Sequence, residues 1–176
     1  MHRVLMFKSR WGWMGVAASE RGLAAIVLPR VSRSAVAADW CHKAGSSHRT
    51  PSDTVLTAAR QQLTEYLAGT RTTFDLPLDF SRGTAFQRRV WKMLRGIPYG
   101  ELWSYRGLAS RVGGVQYARA VGAAVGANPL PIIVPCHRVI AQDETIGGFS
   151  SGLPAKRRLL ALEGSLCRVQ PSARRR

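Results

Sequence analysis

Apolar residues cluster in three short runs near the start of the chain, at residues 2–8, 14–18 and 22–28, with Gly12, Gly15 and Gly22 punctuating them. That spacing predicts the strands of a small antiparallel meander. Residues 31–51, rich in Ala, Ser, His and Gly, predict a loop or a weak helix. The period then changes. Val55, Leu56, Ala59, Leu63, Tyr66 and Leu67 recur at helical steps, so a helix is expected over 53–68, capped by Ser52 and stopped by Gly69. Residues 73–80 read as extended.

Ser81-Arg82-Gly83 reads as a linker, which places a domain boundary near residue 81. Beyond it the pattern turns helical. Thr84 with Gln87 three residues later forms a capping box for a helix through Phe86, Val90, Trp91 and Leu94, ended by Gly96-Ile97-Pro98. Ser104 caps a helix over 105–112, Gly113-Gly114 turns the chain, and 117–127 continues as a helix of small residues, at helix-turn-helix spacing. Pro131-Ile132-Ile133-Val134-Pro135 is too short and proline-bounded for a helix. A Gly-rich loop over 147–152 and a final helix over 154–163 complete the pattern. The expected fold is α/β in the α+β sense: an N-terminal domain (1–80) with an antiparallel sheet and helix, a mainly helical C-terminal domain (81–166), and a disordered basic tail (167–176).

Composition narrows the function. No stretch approaches the roughly 18 uninterrupted apolar residues of a membrane span, and Met1-His2-Arg3-Val4 lacks a signal-peptide layout, so a cytoplasmic protein is expected. Three cysteines, Cys41, Cys136 and Cys167, are too few for a disulfide framework. The net charge of +16 is uneven: residues 1–80 carry 10 basic and 6 acidic side chains, residues 81–176 carry 16 and 4. A basic second half suits nucleic acid first and an anionic membrane second, with a basic composition lacking any such partner as the alternative.

Candidate chemistry centres on Cys136 and His137. A cysteine becomes a nucleophile when a neighbour stabilises its thiolate, although a buried cysteine is more often simple packing. In an extended segment adjacent side chains point apart, so His137 is expected to act on Cys136 through a water or a tight turn. Glu163, one of four acidic residues beyond position 80, ends a helix that could pack beneath and orient the imidazole. The helix over 117–127 is almost smooth, with Ala118, Ala120, Gly122, Ala123, Ala124, Gly126 and Ala127. It could enter a narrow groove with Arg119 as its one long side chain, or pack tightly in a core. Cys41, His42 and His48 cluster loosely but lack paired ligand spacing, so no metal is expected.

From about residue 84 to 164 the chain resembles the O6-alkylguanine-DNA alkyltransferases. The shared blocks are Phe86-Gln87-Arg88-Arg89-Val90-Trp91, Ile97-Pro98-Tyr99-Gly100-Glu101, Ser104-Tyr105, Ala118-Arg119-Ala120-Val121-Gly122, Asn128-Pro129, Ile133-Val134-Pro135-Cys136-His137-Arg138-Val139-Ile140 and Leu160-Ala161-Leu162-Glu163-Gly164. The resemblance implies direct-reversal DNA repair: a single-turnover methyltransferase moves an alkyl group from O6-alkylguanine, and O4-alkylthymine, to its own cysteine without a cofactor. It implies a ribonuclease H-like N-terminal domain and a monomer binding the minor groove of duplex DNA, cooperatively or not. By position, Cys136 is the acceptor, His137 its water-mediated base and Glu163 the orienter. Tyr105 donates a proton to the departing base, and Asn128 ties the recognition helix to the cysteine segment. Arg119 fills the gap left by a flipped nucleotide, with Ala118, Ala120 and Gly122 on the DNA face. Val139, Ile140, Phe149, Ser150 and Ser151 are expected in the pocket. Phe149 stands where many members carry tyrosine and Ser151 where many carry glycine. Two other readings remain, a non-catalytic sensor of alkylated DNA, against which Cys136 argues, and a Cys-His hydrolase, which would leave the smooth helix unexplained.

Overall fold

The structure, a computed structural model, describes residues 3–43 and 53–170. It divides into two compact units, one running through Arg82 together with Pro129–Pro131, the other comprising Gly83–Asn128 and the chain from Ile132 onward.

In the first unit, β1 (Arg3–Ser9), β2 (Gly12–Ser19) and β3 (Gly22–Arg30) form an antiparallel sheet in the order β1-β2-β3. Gly15 is not a break between strands. It sits inside β2 opposite Met6, and a Cβ there would come within 2.8 Å of Val36 and 3.1 Å of the Trp40 ring. Its missing side chain lets α1 (Arg33–Lys43) lie close on the sheet, where Val36 and Trp40 pack on Ala17, Ala25 and Val27. Helix α2 (Asp53–Ala68) also packs on all three strands, burying Leu56, Ala59, Leu63, Tyr66 and Leu67. With helices to bury both faces, β2 is apolar throughout its centre instead of alternating.

Residues 73–80 form no ladder. They make a single parallel bridge, Leu23 to Leu78, with the Leu23 N–H donating to the Pro77 carbonyl and the Asp79 N–H to the Leu23 carbonyl. Pro77 has no N–H to extend the pairing. Farther along the same edge, the Ile26 N–H donates to the Pro129 carbonyl at 2.9 Å, which is why Pro129–Pro131 belongs to this unit. Ser52, His48 and residues 171–176 lie outside the described residues, as do the side chains of Cys41 and His42.

The second unit contains α3 (Ala85–Leu94), α4 (Tyr105–Val112), α5 (Ala118–Gly126) and α6 (Leu153–Leu162), with β4 (Trp103–Ser104) pairing in parallel with β5 (Val139–Ile140). Thr84 and Gln87 make the reciprocal capping box, and the Ser104 hydroxyl accepts from the Gly107 N–H at 3.0 Å. The Trp91 indole donates to the Ala124 carbonyl at 2.8 Å and pins α3 to α5. Residues 167–170, expected to be disordered, are ordered: Leu166–Arg168 forms a 3-10 turn, Arg168 bonds the Gly100 carbonyl and Glu101, and the Gln170 N–H donates to the Glu144 carbonyl.

Candidate active site

The segment carrying Cys136 is shaped by its prolines. Ile132 enters it at φ +78°, a conformation that β-branched residues avoid. Pro135, at φ −79° and ψ 63°, closes an inverse γ-turn in which the Cys136 N–H donates to the Val134 carbonyl at 2.8 Å. Cys136–Arg138 is then a 3-10 turn and not an extended segment, the tight-turn option among those that the sequence left open. Successive side chains in such a turn diverge by roughly 120°, so one residue can face a cavity while its neighbour faces the core.

Cys136 is 4% exposed. The Asn128 amide holds it from the end of α5, donating to the Val134 carbonyl at 2.8 Å and lying 3.1 Å from the Cys136 Sγ. Burial raises the thiol pKa, and the Asn128 hydrogen bond and the Lys156 charge oppose that rise. His137 is fully buried, with Nε2 3.0 Å from the Glu163 carboxylate. Burial lowers its pKa, again against the pull of Glu163.

Glu163 follows the last turn of α6 and is the electrostatic centre of the site. Arg138 grips it from the third position of the turn, Nε 2.9 Å from Oε2 and Nη2 2.8 Å from Oε1, while Nη1 donates to the Ile97 carbonyl. The Gly100 N–H also reaches Glu163 at 3.3 Å. Burial alone would raise the carboxyl pKa, but the hydrogen bonds from His137 and Arg138 hold it down to about 2. An ionised Glu163 accepts the Nε2 proton of His137, which places the basic lone pair of the neutral ring on Nδ1.

Beside Cys136 opens a cavity of about 200 Å³ lined by Tyr105, Gly122, Val125, Gly126, Cys136, Gly148, Phe149 and Ser150. Burial and then the charge of Cys136 raise the Tyr105 phenol pKa, and its hydroxyl donates to the Gly148 carbonyl at 3.3 Å. Gly147, at φ +64°, lets the loop pass close to Tyr105, whose ring would lie 3.2 Å from any Cβ there.

The structure therefore brings Cys136, His137, Glu163, Asn128, Tyr105, Phe149 and Ser150 together. It does not bring Val139, Ile140 or Ser151 into the cavity wall: Val139 and Ile140 are consumed by β5 and buried, and Ser151 lies beyond the lining. On α5, Arg119 and Ala120 are exposed and Ala118 is half-buried, whereas Gly122 reaches the cavity. Sequence reasoning missed Arg138, Lys156, Val125 and Gly126. Lys156 carried a readable signal, since a lysine three and four residues before Leu159 and Leu160 stands on the apolar stripe of α6. Among the described residues no group of three or more His, Cys, Asp or Glu side chains could hold a metal ion, and no helix is long and apolar enough to cross a membrane.

Two family models cover nearly the whole chain. Residues 85–165 match the DNA binding domain of 6-O-methylguanine DNA methyltransferase and residues 3–80 match its ribonuclease-like domain. The chain belongs to the 6-O-methylguanine DNA methyltransferase family. Among its relatives, the methylated-DNA–protein-cysteine methyltransferase of Mycobacterium bovis is 50% identical over 119 residues, 68% of this chain and 72% of that one. The Mycobacterium tuberculosis OGT solved in complex with DNA superposes with a TM-score of 0.74 at 40% identity, covering 96% of this chain and 95% of that one. The O6-methylguanine-DNA methyltransferase of the archaeon Pyrococcus kodakaraensis gives 0.65 at 31% identity, covering 93% and 99%. Membership accounts for both the mixed α/β fold of the first unit and the helical second one.

Proposed function

We propose that this methyltransferase repairs DNA by moving the alkyl group of O6-alkylguanine, and of O4-alkylthymine, irreversibly onto Cys136. The observation that carries the reading is the Cys136 sulfur at the wall of a cavity of about 200 Å³ that is also lined by the Tyr105 phenol and the loop at Gly148, Phe149 and Ser150. His137, oriented by Glu163, takes the thiol proton through a water. The thiolate then attacks the alkyl carbon, a C–S bond forms, the bond to the base oxygen breaks, and its electron pair passes into the departing base, which takes up a proton from Tyr105. The thioether does not hydrolyse, so each molecule acts once and needs no cofactor.

The target atom lies inside a duplex, so the nucleotide must leave the stack. The smooth surface of α5, with Ala118, Ala120 and Gly122, suits the minor groove, and exposed Arg119 fills the vacated place. A monomer suffices for this scheme. Cys136 and Cys167 are free thiols, which suits the reducing cytoplasm.

Mass spectrometry of the protein after incubation with a duplex containing O6-methylguanine should show one added methyl group, mapped to the peptide holding Cys136. An unmodified Cys136 in protein bound to that duplex would instead mark a damage sensor. Arg119→Ala should slow transfer from duplex by about tenfold or more, because unstacking costs a few kcal/mol, and leave reaction with free O6-methylguanine base unchanged. Equal losses on both substrates would reject the flipping role.

A further inference from the structure

A lysine that the transfer scheme does not use lies at zero exposure behind the cavity. Lys156 stands on the buried stripe of α6, and its ammonium donates to three carbonyls: Val139 at 2.6 Å, Ile146 at 2.5 Å and Gly148 at 3.3 Å. An ammonium has three donors, so the set is complete. Among the described residues no carboxylate forms an ion pair with it, and burial drags its pKa down to about 8. Methionine would fill the same volume without the cost of desolvating a charge.

The three carbonyls explain what that cost secures. Val139 opens the strand that leaves the Cys136 turn. Ile146 and Gly148 flank Gly147 in the loop that walls the cavity, and the Gly148 carbonyl also accepts the Tyr105 hydroxyl. One ammonium thus ties the strand beyond the nucleophile to the loop that lines the cavity, and shares an acceptor with Tyr105. The titratable groups around it are Cys136 and His137 on the 3-10 turn and Tyr105 across the shared carbonyl. Its charge favours the Cys136 thiolate, and the thiolate in turn favours the charged lysine.

We propose that Lys156 is a positioning residue for alkyl transfer, its ammonium clamping the cavity loop to β5 and supplying the positive charge that makes a thiolate tenable at Cys136. The role rests on the transfer reading above. Lys156→Met tests it. The pH profile of Cys136 alkylation by iodoacetamide, followed by peptide mass, should move its midpoint upward by about one pH unit or more. Single-turnover methyl transfer at neutral pH should fall by about tenfold, with duplex affinity unchanged.

A merely structural brace would leave the midpoint in place, so an unmoved midpoint overturns the role whatever the transfer rate does. Should Lys156→Met fail to fold, the wild-type protein provides a second measurement. NMR of ε-13C-lysine should show Lys156 titrating at lower pH once Cys136 has been carbamidomethylated, and an unchanged Lys156 titration overturns the role. Methyl transfer by wild type with uncoupled titrations overturns this inference alone, whereas absence of transfer by wild type overturns the reading beneath it.

Discussion

Cys136→Ala should bind methylated duplex about as tightly as the parent protein and transfer no methyl group. The cavity holds two other hydroxyl nucleophiles, Tyr105 and Ser150, and neither can replace the sulfur. Burial raises the Tyr105 phenol pKa further above neutrality, so its phenolate is scarce, and a serine alkoxide is scarcer still. The sulfur is itself mostly protonated at rest, since burial raises its pKa. Transfer must therefore run through proton removal by His137, which burial keeps neutral and able to accept that proton. Losing the sulfur leaves Asn128 bonded to the Val134 carbonyl, so the turn survives and stability should change by no more than about 1–2 kcal/mol. Intact mass after incubation, with fluorescence anisotropy for duplex binding, measures both halves. A methyl group found on any residue of Cys136→Ala would place the acceptor elsewhere.

Where the sequence carries its own local chemistry, the structure follows it closely. The apolar period of α2 and the Ser104 cap of α4 mark segments whose boundaries are set by side chains within them. What escaped depends on partners distant in the chain. Helix α1 has a weak amphipathic signal, and its place is set by the hollow at Gly15 that receives Val36 and Trp40. Residues 73–80 look like a strand, yet Pro77 and the edge of β3 limit them to one bridge. The Cys136 segment reads as extended because its prolines forbid a helix, and the same prolines permit the γ-turn that feeds a 3-10 turn.

The candidate site divides along similar lines. Cys136, His137, Glu163, Tyr105 and Asn128 could be named from resemblance to a family, but the pocket wall could not be read by adjacency to the cysteine. Val139 and Ile140 follow Cys136 closely and are taken up by pairing with β4, while Val125 and Gly126, on another helix, reach the cavity instead. Arg138 sat in plain view within the motif. Its partner, 25 residues away, is what gives it meaning.

That partnership sets the second large effect. Glu163→Gln should destabilise the protein by about 3–5 kcal/mol at neutral pH, because it leaves the Arg138 guanidinium buried against a neutral amide whose N–H groups face the same donors. The pH dependence gives an independent handle. A carboxyl held from an ordinary 4.5 down to about 2 contributes about 3 kcal/mol above pH 4.5, and that contribution drains away as pH falls towards 2. His137, held below its ordinary value, adds to the acid sensitivity below about pH 6.5, where the unfolded chain binds a proton that the folded one resists. Urea unfolding at neutral pH and near pH 3 should then show wild type losing stability on acidification and Glu163→Gln losing less, so that the two curves converge. Adding Arg138→Met to Glu163→Gln should recover a large part of the neutral-pH loss, since it removes the stranded charge. A single-variant loss below about 1 kcal/mol would mean that solvent or another group compensates Arg138, and Glu163 would then serve only to orient His137.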